Sequence, residues 1–362
     1  MKLLNHKYAI AIVAVFALFS CKKNTSNTPI NSHWIEVGGT DSSKFAVGFY
    51  SVCTANNGNL YAAGSLSNDN NNSYYVANWN GNSWGEIEDS NYFTFTSYIS
   101  SVVADANGNV YAASSDNKPF GNSYIAQWNG SSWRRIANFE SFINDVAIDA
   151  NGYIYAAGWF KNQNGNCYVA VWDGNRWNEL GGLNSSLFDP NDIIKIVFDG
   201  KGNVYYAGNI ANINSESLVA KWNGFAWSQL GPLFNGTITS ITSDNNGNVY
   251  IAGNSSNGKV NYVQEWDGSG WITLNSNLNG SISLVTTDVN GYLYAGGGFT
   301  DGNGKYYVAQ WNGTQWTEFG GANTSPFNGS IGFINFNAQG DMYVAGQFTN
   351  GKGYNYIAEY KQ

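Results

Sequence analysis

The apolar residues of this chain fall in short runs, and the polar residues between them are mostly Asn, Asp and Gly. Runs such as Val110-Tyr111-Ala112-Ala113 and Ile154-Tyr155-Ala156-Ala157 are rich in β-branched and aromatic residues and shorter than an ordinary helix. Pairs such as Asn107-Gly108 and Asn129-Gly130 signal tight turns, because glycine takes positive φ without a steric penalty. Few segments carry an apolar period of 3.6 residues. The pattern predicts an all-β chain of many short strands.

One unit repeats along it: an Asp/Asn-x-x-Gly turn, a hydrophobic-Tyr-Ala-Ala-Gly strand, a variable loop, an apolar strand ending in Trp, then Asn/Asp-Gly and a second Trp. The turn glycines are Gly58, Gly108, Gly152, Gly202, Gly247, Gly291 and Gly340, spaced 44 to 50 apart. The paired tryptophans are Trp79/Trp84, Trp128/Trp133, Trp172/Trp177, Trp222/Trp227, Trp266/Trp271 and Trp311/Trp316, so the seventh unit has no pair. It stops at Tyr360, in the first-Trp position. The missing strand lies at the other end of the chain, where Trp34-Ile35-Glu36-Val37-Gly38-Gly39 matches Trp177-Asn178-Glu179-Leu180-Gly181-Gly182. A split unit of this kind predicts a closed ring, which leaves no exposed sheet edges. The expected fold is a seven-bladed β-propeller of four-stranded antiparallel blades over residues 32–362, the N-terminal strand completing the last blade. In blade 2 the predicted strands are Ser101–Asp105, Asn109–Ala113 and Tyr124–Trp128, with a fourth starting near Trp133. Strands apolar on both faces fit blades packed between two neighbours, and thirteen of the fourteen tryptophans belong to the repeat and are expected in that packing.

The repeat resembles those of the kelch and galactose-oxidase group of propellers. It is more similar still to the Y-x-G-x-F…W-x-G-x-x-W-x-x-L-G repeats of bacterial surface proteins and the fungal cortical polarity marker family, best seen in Tyr294-Ala295-Gly296-Gly297-Gly298-Phe299 and Val308-Ala309-Gln310-Trp311-Asn312-Gly313-Thr314-Gln315-Trp316. A double glycine closing the second strand, usual in kelch, survives only in blade 6. The resemblance implies the fold but not a function.

Residues 1–20 read as a targeting segment: Lys2 and Lys7 precede an apolar run of 12 residues, Tyr8–Phe19, whereas a membrane span needs roughly 20. Leu18-Phe19-Ser20-Cys21 resembles the bacterial lipobox, which implies a diacylglycerol on Cys21. Residues 21–31 are then a lipidated cysteine and flexible tether, and Cys21-Lys22-Lys23 resembles the start of lipoproteins of the Bacteroidota. The expected location is the bacterial cell envelope, at the outer membrane.

Candidate chemistry is sparse. A net charge of −8 with arginines only at 134, 135 and 176 gives no footprint for nucleic acid. Two histidines, His6 and His33, fall short of a galactose-oxidase-like copper site, so the resemblance implies fold without that activity, and no metal or cofactor is expected. Cys53 and Cys167 fall on non-adjacent blades, too far apart for a disulfide. Asp105, Asp149, Asp199, Asp244 and Asp288 recur at one turn position, where a carboxylate caps its own turn. Repeated acids do not supply the unequal pair that glycoside hydrolysis requires, and no catalytic residue is assigned. The unrepeated acids include Asp41, Asp89, Glu140, Asp189, Asp192 and Asp301; three of them converging in the central channel would point to an enzyme.

The connections between the fourth strand of one blade and the first of the next vary in length, the long ones being Gly39–Tyr50, Glu88–Ser100, Leu183–Lys195 and Ala322–Gly332. Variable loops on a rigid ring are where binding usually resides. They carry many aromatics, and with the loop residues Trp159 and Phe160 they suggest a ligand face built from Tyr50, Tyr92, Phe95, Trp159, Phe160 and Phe188. The expected function is a monomeric binding or adhesion module for an extracellular glycan or protein, glycan favoured. A scaffold subunit of a surface complex and a carbohydrate-active enzyme are the alternatives.

Overall fold

The computed structural model describes residues 33–38, 45, 48–68, 73–87, 89, 93–116, 122–182, 192–210, 216–255, 258, 260–274 and 277–361. The chain divides into two units, Met1–Asn31 and Ser32–Gln362, and every described residue belongs to the second.

That unit is a seven-bladed β-propeller of four-stranded antiparallel blades. Five blades are separate four-stranded sheets, and the fourth and fifth blades join into one eight-stranded sheet. Blade 2 shows the plan, with strands A to D at Ile99–Ala104, Val110–Ser115, Ser123–Trp128 and Trp133–Phe139. Strand A begins two residues before its predicted start. Strand B is wholly buried in blades 1, 2 and 3, as its apolar run requires. The hydrophobic residues form seven clusters, one at each junction between neighbouring blades. One of them joins Tyr343, Ala345 and Ile357 of blade 7 to Val52, Leu60 and Ala62 of blade 1, so the ring is continuous.

The repeat residues hold these junctions. Each Trp pair is a directly opposed pair across strands C and D, as for Trp128↔Trp133 and Trp311↔Trp316. The second Trp then reaches the preceding blade: the indole N–H groups of Trp84, Trp177, Trp227 and Trp271 donate to the carbonyls of Val37, Ile136, Leu180 and Leu230 at 2.9–3.2 Å. The turn acid does more than cap its turn. Asp105 accepts the N–H groups of Asn107 and Asn109 on one oxygen and the Tyr111 hydroxyl on the other, and Asp149 and Asp199 hold Tyr155 and Tyr205 in the same way.

Every strand A also bulges once at the same level, between Phe49 and Ser51 in blade 1 and between Ile143 and Asp145 in blade 3, and likewise in the other five. The bulge presses strand A onto strand B, so the end of strand B has no room for a side chain. A Cβ at Gly158 or Gly297 would drive into the carbonyl oxygen of Phe142 or Ser281. This close approach is why glycine ends the hydrophobic-Tyr-Ala-Ala-Gly run. Below the bulge, strand A is stitched to the next blade: the N–H groups of Val102, Val146 and Val285 donate to the hydroxyls of Ser51, Ser101 and Ser240.

The N-terminal strand closes the ring as expected. His33–Glu36 pairs antiparallel with Asn355–Lys361, Trp34 lying opposite Tyr360, and the Trp34 ring packs edge-on against Phe327 and Tyr360 at 4.9 Å. The chain thus enters the ring on the face that carries the A–B and C–D turns. Because all seven junctions share one closed circuit, deleting residues 32–39 is expected to lower the melting temperature of the whole domain by on the order of 10 °C in a single transition. Circular dichroism melting checks this; an unchanged midpoint would contradict closure by this strand.

Candidate functional site

The bulge decides which side chains stand at the mouth of the ring. The extra residue in each strand A sits beside the channel opening, on the face of the B–C and D–A loops. In blade 1 that residue is Tyr50, 46% exposed, and in blades 2 and 3 it is Ser100 and Asn144. Two residues earlier stand Tyr98 and Phe142 in blades 2 and 3, where the other blades have Gly48, Asp192, Thr237, Ser281 and Ser330. Just past the strand B glycine of blade 3 comes Trp159, also 46% exposed.

These residues make one groove of about 380 Å³ across blades 1 to 3. One wall is Tyr50 edge-on to Tyr98 at 5.5 Å, and the other is Phe142 edge-on to Trp159 at 6.1 Å. Ser100, Ser114, Ser115, Ser123, Ile143 and Asn144 complete the lining. Blade 2, in the middle, departs from the repeat here. Blades 1, 3, 6 and 7 place Leu66, Phe160, Phe299 and Phe348, all fully buried, two residues after the strand B glycine. Blade 2 has Ser114-Ser115-Asp116 instead, and Asp116 is paired with Arg135.

Of the six residues expected on this face, Tyr50 and Trp159 are in the groove. Tyr92 and Phe188 lie outside the described residues. Phe95 and Phe160 are corrections: at 3% and 2% exposure they belong to the core. Phe160 fills the apolar position that follows the strand B glycine and packs on Phe139 at 4.4 Å. Phe95 stacks on Tyr124 and meets Trp133 edge-on, and its backbone pairs with Tyr74 of the preceding blade. Its position recurs: Phe45, Phe139, Phe234, Leu278 and Phe327 are likewise buried and four residues before Phe49, Ile143, Ile238, Ile282 and Ile331. Four of these aromatics pair their D–A link with the blade it leaves, as Ser123↔Phe139, Ser217↔Phe234 and Tyr306↔Phe327 show. The long links therefore carry core residues, and the groove-lining Tyr98 and Phe142 stand where the links end. Both were detectable as the two aromatics at a position that is small or polar in the other five blades.

The central channel, about 590 Å³, is lined by strand A of all seven blades. Its charged residues, among those described, are Asp145 and Lys195. Asp145 is the one carboxylate among the described lining residues, and the candidate acids Asp41 and Asp189 lie outside the described residues. Asp145 takes the stitching position that Ser51, Ser101 and Ser240 hold elsewhere, accepting the Ile196 N–H at 2.9 Å. Asp89 is structural too, accepting the N–H groups of Phe93 and Trp133, and Asp301 caps its own turn at Asn303 and Lys305. Cys53 and Cys167 are free and buried, and burial pushes the Cys53 thiol up to about 12.

No family model and no curated protein sequence matches this chain. Solved structures do. Virginiamycin B lyase from Staphylococcus aureus, crystallised as an inactive variant with quinupristin, superposes with a TM-score of 0.61 at 13% identity, covering 91% of this chain and all of that one. The propeller domain of the trilobed protease from Pyrococcus furiosus gives 0.60 at 9% identity over 88% of this chain and 96% of that one. YCF48 from Cyanidioschyzon merolae gives 0.58 at 14% over 90% and 98%. The likeness is one of fold. The Pyrococcus domain is described as having an open velcro topology, whereas here the closing strand is hydrogen-bonded in place.

Burial pushes the Asp145 carboxyl up to about 6, against the opposing pull of Lys195 and of the Ile196 and Val146 N–H groups. Burial likewise lowers Lys195, which Asp145 opposes. A carboxyl that binds its proton more tightly folded than unfolded contributes stability below its unfolded value of about 4 and loses that contribution as pH rises through the folded value. Removing the lysine charge raises the carboxyl further. Lys195→Met is therefore expected to lower the melting temperature more at pH 8 than at pH 5. Equal losses at both pH values would mean that Lys195 acts through packing alone.

Proposed function

We propose that this protein is a lipid-anchored binding module of the bacterial cell envelope, held by Cys21, whose groove over blade 2 takes a glycan. The supporting observation is the pair of aromatic walls, Tyr50 with Tyr98 and Phe142 with Trp159, exposed on both sides of a serine-lined floor. Exposed rings cost free energy unless something covers them, and the C–H face of a pyranose ring does so while its hydroxyls reach the floor. The volume suits a small-molecule or oligosaccharide segment. Trp159 is the one exposed tryptophan of fourteen, the rest being buried or half-buried by the repeat.

The rigid, closed ring supports the reading as well. Seven packed junctions hold the walls in place, so little ordering entropy is lost on binding. A binding role fits the channel wall, where one carboxylate and one lysine face each other and the carboxylate is engaged in stitching two blades.

Covering one wall ring with a sugar face removes on the order of 50 Å² of apolar surface, worth about 1.3 kcal/mol, or roughly tenfold in affinity. Tyr50→Ala and Trp159→Ala together are expected to weaken oligosaccharide binding by about 100-fold with no change in melting temperature, as read by titration calorimetry. Binding that survives both substitutions would place the site elsewhere on the ring.

A further inference from the structure

Resting on the glycan reading above, we infer that the groove selects neutral sugars and rejects their uronate counterparts. Two independent features of the lining carry this. The first is charge. None of the ten described lining residues is an Asp, Glu, Lys, Arg or His, and the chain as a whole carries −8. A carboxylate or sulfate placed between the aromatic walls would lose hydration without meeting a cation among the described lining residues.

The second feature is the polarity of the floor's hydrogen bonds. The Ser100 hydroxyl donates inward to the Ile143 carbonyl at 2.8 Å, and the Ser114 hydroxyl donates to the carbonyls of Ser97 and Tyr98 at 3.1 Å. Asn144 donates its amide to the Ile193 carbonyl at 3.0 Å. Ser100 and Asn144 thus each commit a proton to the bulge of the next blade, and Ser114 commits its own to the link that enters its blade; the two hydroxyls then offer oxygen lone pairs outward, and Asn144 offers its amide oxygen and one remaining N–H. A sugar hydroxyl meets such a surface as a donor, whereas a carboxylate is an acceptor only and has nothing to give. The stitching that makes the ring rigid thus also sets the sign of what it binds. Tyr50 is the exception: its oxygen accepts from the Ser65 hydroxyl at 3.0 Å, which leaves its own proton for a single acceptor at the rim of the groove.

The test uses the full-length protein in detergent micelles and two β-1,4-linked hexamers that differ only at C6, mannohexaose and hexamannuronate. Cellohexaose and xylohexaose extend the neutral series, and hexagalacturonate extends the anionic one. Each is titrated by calorimetry at 0.05 M and 0.5 M NaCl. The inference expects at least one neutral hexamer to bind, and every uronate to bind more weakly than the best neutral hexamer by about tenfold or more. The preference should persist at 0.5 M salt, where long-range repulsion by the acidic surface is screened. A uronate that binds as well as or better than the neutral hexamers at 0.5 M salt would overturn it; if that binding also disappears in the Tyr50→Ala, Trp159→Ala double variant, the groove stands as a glycan site and only the selectivity is wrong. Failure of every hexamer in both series would overturn the glycan reading itself.

Discussion

The single extra residue in each strand A is the constraint from which the other features follow. It brings the inner strand so close to its neighbour that the end of strand B must be glycine in most blades. It sets the level at which Ser51, Ser101, Asp145 and Ser240 accept a backbone N–H from the next blade. It also pushes one residue per blade out beside the channel mouth, and this is how Tyr50 and Asn144 come to border the groove. A bulge redirects side chains at a sheet edge; repeated seven times around a ring, it defines a surface.

Closure gives that surface its rigidity. Hydrophobic clusters occupy every junction, including the one spanning the two ends of the domain, and the tryptophan of the closing strand packs as the repeat tryptophans do. Stability spread over seven similar junctions tolerates local departures from the repeat. Blade 2 uses that tolerance, placing Ser114-Ser115-Asp116 where four other blades place glycine and a buried apolar plug. Breaks in local consistency tend to sit at functional positions, and the groove lies over this break.

The architecture was legible because it is written seven times. Turn glycines, Trp pairs and the split last unit gave blade number and closure, and each matches the hydrogen-bond register found. The binding face was only partly legible. Trp159 stood out because the repeat does not account for it, and Tyr50 because a long link ends on it. Phe160 was misplaced although blade 6 repeats its position at Phe299, five residues after the strand B tyrosine in both blades. Phe95 was misplaced because its repeat is defined by backbone pairing to the preceding blade, and links of unequal length hide the spacing until it is counted back from Ile99. Tyr98 and Phe142 went unnoticed because each sits one residue before a strand, where sequence marks boundaries poorly. The direction of the serine and asparagine hydrogen bonds, which sets the polarity of the floor, depends on contacts between blades some 43 to 49 residues apart and has no local trace.

The most direct test of the account is an indole N–H titration by nuclear magnetic resonance. Fourteen tryptophans give fourteen indole signals, and Trp159→Phe assigns the one from the groove. Adding a neutral oligosaccharide that binds is predicted to shift the Trp159 signal progressively while the repeat indoles, fixed by their junctions, stay in place. Shifts confined to repeat tryptophans, with the Trp159 signal unmoved at saturation, would contradict it.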